Sequence, residues 1–181
     1  MLELLAPAGN LDAVIAAVQN GADAVYMGFG DGFNARRSAD NFTRESFAKA
    51  VRYCHIRGCK VYVTLNTLVG DREMDAAAAL AQQASDAGAD AILVQDLGLA
   101  RVLRAALPDI PLHASTQMSI HNLAGVEAAA EMGITRAVLA RELSLEQIRF
   151  ISQHASIETE VFVHGALCFC YSGQIGRAHH I

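Results

Sequence analysis

The sequence predicts an α/β protein of the TIM-like (β/α) barrel type, incomplete, with about seven parallel strands and outer helices. Short runs rich in Val, Ile and Leu alternate with helical segments along the chain. Helical segments tend to end at a Gly, and the next apolar run follows at once; residues 21–24 and 88–91 both read Gly-Ala-Asp-Ala. Strands that alternate with helices in this way form a parallel sheet with right-handed crossovers.

The apolar runs are typical of strands buried on both faces. They predict strands at residues 3–5, 24–27, 61–65, 92–94, 112–114, 137–139 and 161–163. Between them, cap residues and Gly stops predict helices at residues 10–19, 43–57, 71–87, 97–106, 122–132 and 144–154. The centres of neighbouring strands are spaced by about 20 to 37 residues, near the roughly 30 residues per unit of a (β/α)₈ barrel of about 250 residues.

A doubly wound sheet is the rival fold. Its first strand–helix turn should carry a Gly-rich phosphate loop. Residues 7–10 read Pro-Ala-Gly-Asn, which is no such loop, and the Gly-rich residues 28–32 come only after the second strand. The barrel is therefore the favoured prediction.

Composition limits the function classes. The 181 residues are 52% hydrophobic and carry a net charge of −5, which argues against broad, non-specific nucleic-acid binding. The first residues carry no basic flank, and no apolar run approaches the ~18 residues of a membrane span. We therefore expect a cytoplasmic protein that does not insert into a membrane.

Polar residues follow the predicted strands where a barrel carries its chemistry, at the carboxyl ends. We expect a shared pocket at that rim, whereas the opposite rim should show mainly Gly, Ala and Asp turn residues. Arg36 and Arg141 together would suit a small anionic ligand. The rim candidates are Arg36, Asn66, His113, Gln117, Arg141, Glu142 and His164.

Three residues are candidate catalytic acids or bases: His113, Glu142 and His164. The sequence does not choose among them. His164 and Cys168 could also form a base–nucleophile pair, because a nearby His activates a thiol. Cys54 and Cys59 are predicted to fill the core, and Cys168 with Cys170 does not make a zinc motif.

Several motifs occur in the order seen in one family. They are LLAPAGN at residues 4–10, GADAVY at 21–26, NAR at 34–36, VTLNT at 63–67, STQ at 115–117, LAREL at 139–143 and FVHGALC at 162–168. In this the chain resembles the collagenase-like peptidase family U32, and most of all its bacterial branch that hydroxylates RNA bases.

The resemblance implies a barrel-like catalytic domain and, in several members, a [4Fe–4S] cluster on four Cys. It maps the first cluster ligand to Cys168 and the second to position 175, which is Ile175 here. We therefore expect no cluster in this chain, although a full-length form could hold one. Residues 1–174 would form the partial barrel, and residues 175–181 an atypical tail of a truncated sequence.

Three functions remain open. The first is hydroxylation of a tRNA or rRNA base, with RNA and a small anionic co-substrate as partners. The second is collagenase-like peptide hydrolysis, although no HExxH or GxSxG motif supports it. The third is an inactive barrel that binds a partner, or a second copy, through its open edge.

Overall fold

The computed structural model describes residues 2–30, 32–35, 41–165 and 170–173. In this part of the chain, seven parallel strands form one sheet in sequence order. The strands are β1 (Leu5–Pro7), β2 (Ala24–Met27), β3 (Lys60–Leu65), β4 (Ala91–Val94), β5 (Leu112–Ala114), β6 (Arg136–Val138) and β7 (Glu158–Glu160). The predicted incomplete (β/α) barrel is confirmed.

Helices separate the strands, and most begin at a side-chain cap. They are α1 (Leu11–Gln19), α2 (Arg44–His55), α3 (Met74–Asp86), α4 (Leu97–Ala106), α5 (Leu123–Glu131) and α6 (Leu145–His154). The predicted capping box is present, because Ser144 and Gln147 bond each other's backbone N–H groups. Within the described residues, we find no helix with the length and apolar character that crossing a membrane requires.

The repeated Gly-Ala-Asp turns fasten neighbouring strands. Gly21 and Gly88 have φ values of +89° and +96°, which favour Gly and end α1 and α3. The Asp that follows accepts a hydrogen bond from the neighbouring strand region: Asp23 from the Leu4 N–H at 2.8 Å, and Asp90 from the Val61 N–H at 2.7 Å. The repeat is therefore a structural device of the barrel.

The sheet divides the core into two layers. Apolar side chains on the outer face, such as Val63, Ile92 and Leu112, pack under the helices. Side chains on the inner face, such as Tyr62 and Leu93, form a smaller cluster in the lumen. Because side chains alternate along a strand, every second residue of β3 and β5 points into the lumen.

The amino ends of the strands hold an ionic network in addition to the Gly, Ala and Asp turn residues that were expected to predominate there. Arg136 lies 2.6 Å from carboxylate oxygens of both Glu3 and Glu158, and 3.5 Å from Glu160. Tyr62 donates a hydrogen bond to Glu3 at 2.8 Å. Four strands separate β1 from β6 in the sheet, so the Glu3–Arg136 contact shows how strongly the sheet curls.

The seventh strand begins three residues earlier than predicted. It lies at Glu158–Glu160, and the predicted residues 161–163 follow it with exposed side chains. The apolar run Val-Phe-Val led the prediction to residues 161–163, whereas the strand that pairs with β6 contains two Glu. Glu158 and Glu160 are two residues apart, so both can face the lumen and reach Arg136.

Candidate active site at the carboxyl ends of the strands

A hydrogen-bonded set joins the carboxyl ends of three neighbouring strands. Asn66, which follows β3, donates from Nδ2 to the Ser115 Oγ at 3.3 Å, and its Oδ1 accepts from the Ala35 N–H at 3.1 Å. Ser115, which follows β5 and is buried, donates to the Gln117 Oε1 at 3.4 Å. Gln95, after β4, donates to the Gln117 backbone carbonyl at 3.4 Å. Asn66 and Gln117 are therefore joined through Ser115 at the rim, and their role in binding a substrate stays a prediction.

Arg141 and Glu142 follow β6 and hold the segment of residues 170–173 against the rim. The Arg141 guanidinium donates to the Cys170 carbonyl at 3.2 Å and to the Ser172 Oγ at 3.4 Å. The Glu142 Oε1 accepts from the Ser172 N–H at 2.7 Å, and Ser119 donates its hydroxyl to the Ser172 carbonyl. Ser172 is 4% exposed, so these bonds fix a buried anchor. We call residues 170–173 the rim segment.

The Glu142 carboxyl is ionised at neutral pH. Burial by itself would raise its pKa, but hydrogen bonds from Ser172 and the charge of Arg141 outweigh burial and leave the pKa below its ordinary value. Such a carboxylate accepts hydrogen bonds well and is a weak general base at neutral pH. Its catalytic role stays a prediction, and its hold on Ser172 is what the geometry establishes.

His113 does not reach this rim, so its expected position there is wrong. It is a β5 residue that is 4% exposed, and its ring meets the Tyr62 ring edge-on at 4.9 Å between centroids. Burial, with the charge of Arg136 in second place, lowers the pKa of His113 to about 3. Its Nδ1 is buried without a hydrogen-bond partner. A neutral imidazole deep in the lumen cannot pair with Glu142 at the rim.

The other predicted residues are spread over described and undescribed parts. His164 is exposed, in the stretch that follows β7. Arg36, Cys168 and Ile175 lie outside the described residues. The His164–Cys168 pair and the Arg36–Arg141 pair therefore stay predictions.

The described thiols do not fit a four-thiolate cluster. Cys59 immediately precedes β3, at its amino end, and Cys54 packs beside it in the core at the end of α2. Burial raises the pKa of both thiols, that of Cys54 to about 12. Cys170 lies at the opposite end, on the rim segment. Among the residues with described positions, no three His, Cys, Asp or Glu are grouped to hold a metal ion.

Sequence reasoning missed the anchor of the rim segment. Ser172 and Ser119 are common residues with no pattern of their own, and their bond joins residues 53 positions apart. Gly173 is the only available signal: its φ is +82°, and a Cβ there would lie 2.3 Å from the Ser119 Oγ. Only a Gly allows this close approach.

The fold and the rim define a (β/α)-barrel protein whose polar side chains converge at the carboxyl ends of its strands, the end where barrels of this class carry their sites. The chain belongs to peptidase family U32, whose family model matches residues 9–180.

Relatives and a solved structure agree with this assignment. The chain is 44% identical over 178 residues to the 23S rRNA 5-hydroxycytidine C2501 synthase of Escherichia coli, covering 98% of this chain and 26% of that protein. It is 40% identical over 179 residues to tRNA hydroxylation protein P1 of Bacillus subtilis, covering 99% and 42%. The solved structure of the U32 peptidase Mk0906 superposes with a TM-score of 0.76 at 19% identity, covering 93% of this chain and 71% of that one. The chain thus spans less than half the length of these two curated relatives.

Proposed function

We propose that this chain is the barrel part of an enzyme that supports hydroxylation of an RNA base in tRNA or rRNA, in the cytoplasm. The proposal is supported by the two relatives named for RNA hydroxylation, which match almost the whole chain. In this reading, the barrel supplies the substrate site and the remaining length of such proteins supplies further parts.

The observation that carries the proposal is the convergence of Asn66, Ser115 and Gln117. Asn66 follows β3 whereas Ser115 and Gln117 follow β5, and the three side chains form one hydrogen-bonded set at the carboxyl rim. They are neutral amides and a hydroxyl, which recognise polar edges such as those of a nucleobase by donating and accepting hydrogen bonds. The net charge of −5 also favours recognition at a defined site over general attraction to phosphates.

The proposed co-substrate is a small anion bound near the same rim. Arg36 remains the predicted clamp for it. Arg141 contributes in another way, because its guanidinium is engaged by Cys170 and Ser172 and so holds the rim segment in place. In this proposal Arg36 binds the anion, whereas Arg141 is a positioning residue that holds the rim segment.

An iron–sulfur cluster enters the proposal only for a longer form of the protein. Cys168 would then be one of four thiolate ligands, which requires a Cys at position 175 in place of Ile175 and two further Cys in the longer form. Iron and sulfide counting after anaerobic reconstitution tests this part. Absence of both from a longer form that contains the four Cys would contradict it.

The function is tested by nucleoside mass spectrometry of tRNA and rRNA from a bacterial host without U32 proteins of its own. A full-length form should restore a hydroxylated nucleoside there. Asn66→Ala should lower its amount about 10- to 100-fold, because a lost contact misplaces the substrate. Asn20→Ala is the matched control, since the Asn20 side chain donates to the Ala16 carbonyl at the end of α1 and has no part in the rim set. Wild-type protein that restores no hydroxylated nucleoside would overturn the proposal.

Peptide hydrolysis is the second candidate, favoured by the description of the family that the chain matches. A catalytic pair of His113 and Glu142 is not supported, because His113 lies buried in the lumen and Glu142 lies at the rim. His164 with Cys168 is what remains. Cleavage of a gelatin peptide that disappears in a His164→Ala Cys168→Ala double variant would support this candidate. Cleavage that persists would exclude the thiol mechanism.

A further inference from the structure

A cavity of about 390 Å³ lies at the carboxyl rim, between the loop after β6 and the rim segment. The lining includes Ser119, His121, Glu142, Gln147, Tyr171 and Ser172. Its volume is within the range of small-molecule sites. The cavity adjoins the Arg141 contacts and is separate from the Asn66–Ser115–Gln117 set.

One wall of the cavity is firmly anchored around an exposed aromatic ring. Tyr171 is 73% exposed, whereas its neighbour Ser172 is buried and bonded to Glu142, Arg141 and Ser119. Cys170, on the other side, is held through its carbonyl by Arg141. The backbone on both sides of the ring is therefore fixed, while the ring itself stays available at the mouth of the cavity.

The polar groups of the cavity include more acceptor capacity than the protein uses. Glu142 accepts hydrogen bonds from the backbone N–H and the hydroxyl of Ser172 and from its own backbone N–H. A carboxylate has about four lone-pair sites on its two oxygens, so capacity for a further donor remains. A carboxylate accepts hydrogen bonds and donates none, so it suits a partner that presents N–H groups. Among RNA bases, cytosine, adenine and guanine each present an exocyclic amino group, whereas uracil presents only carbonyls as exocyclic groups.

We infer that this cavity takes an unpaired RNA base with an exocyclic amino group, stacked on Tyr171 and bonded through that amino group to Glu142. Stacking on an aromatic ring and hydrogen bonding on the base edge are how proteins read unpaired RNA bases. The inference rests on the proposed function for its substrate class, and it adds the pocket and the preferred base.

The test is fluorescence anisotropy of labelled hexanucleotides, C₆, A₆ and U₆, with the purified chain at one fixed salt concentration. Wild-type protein should bind C₆ or A₆ more tightly than U₆ by about tenfold. Tyr171→Ala should weaken the tighter complex about tenfold, and Tyr171→Phe should keep it, because stacking needs the ring alone. Glu142→Gln should reduce the discrimination against U₆, since an amide can donate to the uracil carbonyl.

Phe150→Ala is the matched control, because Phe150 is an exposed aromatic on α6, is not among the cavity residues and should leave all three affinities unchanged. Circular dichroism and urea unfolding of each variant show that it is folded. Equal affinity for the three oligonucleotides, or a Tyr171→Ala variant that binds like wild type, would overturn the pocket assignment.

The outcome separates this inference from the proposed function. If a full-length form hydroxylates RNA while Tyr171→Ala changes neither binding nor product, the pocket is wrong and the function stands. If C₆ or A₆ binding depends on Tyr171 but no hydroxylated nucleoside forms, the pocket stands and the function is wrong.

Discussion

The two ends of the half-barrel use polar residues in opposite ways. At the amino end, Arg136 is bonded to carboxylates from the start of the chain and from β7, and its side chain is only 9% exposed. At the carboxyl end, the contacts are mainly between neutral groups or from a side chain to the backbone of the rim segment. Both ends contain cavities, about 540 Å³ at the amino end and about 390 Å³ at the rim.

The difference lies in what each end leaves free for a ligand. In the amino-end cavity, Lys60, Tyr62 and Arg136 are already engaged by Glu3. A buried charge network of this kind is costly to disturb and holds the strands in one arrangement. At the rim, Tyr171 and part of the Glu142 carboxylate are unengaged by the contacts described above. The charged side chains at the amino end stabilise the fold, whereas polar groups at the carboxyl rim remain able to contact a ligand.

The largest expected effect is loss of Arg136. Arg136→Met leaves Glu3 and Glu160 without their shared cation, so we expect about 3–5 kcal/mol of lost stability. Urea unfolding followed by circular dichroism measures it. Arg101→Met, at an exposed position on α4, should change the free energy of unfolding by no more than about 0.5 kcal/mol. Equal losses in the two variants would show that the network does not hold the barrel.

The rim segment should respond next. Gly173→Ala places a methyl group 2.3 Å from the Ser119 Oγ and 2.6 Å from the Gln117 carbonyl oxygen. Gly21→Ala is the control, since Gly21 also has a positive φ but open space around it. We expect Gly173→Ala to cost about 1–3 kcal/mol more, which is the cost of overpacking. Hydrogen exchange should rise in peptides that contain residues 170–173, and protection equal to wild type would contradict the anchor.

The loss of stability at acidic pH tests the contribution of the Glu3 carboxylate. Burial would raise its pKa, but the bonds from Arg136, Tyr62 and Lys60 outweigh burial and lower the pKa from 4.5 to about 2. A lowered folded-state pKa gives stability that is complete above pH 4.5 and is lost as the pH falls toward 2. The advantage of wild type over Glu3→Gln in urea midpoint should therefore shrink across that interval. An advantage that is constant from pH 6 to 2 would refute this assignment.

The smallest effect is expected within the same network. Lys60 lies 3.0 Å from Glu3, but its side chain is 55% exposed. Lys60→Met should therefore cost less than about 1 kcal/mol, as exposed ion pairs do. A loss as large as that of Arg136→Met would mean that the periphery of the network matters as much as its buried centre. Urea unfolding of the two variants in parallel decides this.

The barrel itself could be read from the sequence, because alternating apolar runs and Gly stops are local patterns. The capping box at Ser144 and the burial of β3 and β4 on both faces follow from the same short-range rules. The seventh strand could not be placed, because its two Glu make sense only beside Arg136, which is 22 and 24 residues away. His113 was misplaced for a related reason: its depth in the lumen depends on strand register.

The candidate site was partly predictable. The positions of Asn66, Gln117 and Arg141 follow from the rule that barrel sites lie after the strands. The contacts of Arg141 and Glu142 with the rim segment could not be predicted, because that segment lies roughly thirty residues further along the chain. Contacts of that span depend on how the chain returns to the rim, which no local pattern encodes.

The different roles of the two rims are tested most directly by one substitution at each rim of the barrel, made in a full-length form of the protein. Glu142→Gln and Glu3→Gln both remove a carboxylate charge, one at the rim and one in the ionic network. We predict that hydroxylated nucleoside per folded protein falls about tenfold or more in Glu142→Gln and stays near wild type in Glu3→Gln. A Glu3→Gln variant that loses product while Glu142→Gln keeps it would contradict the account.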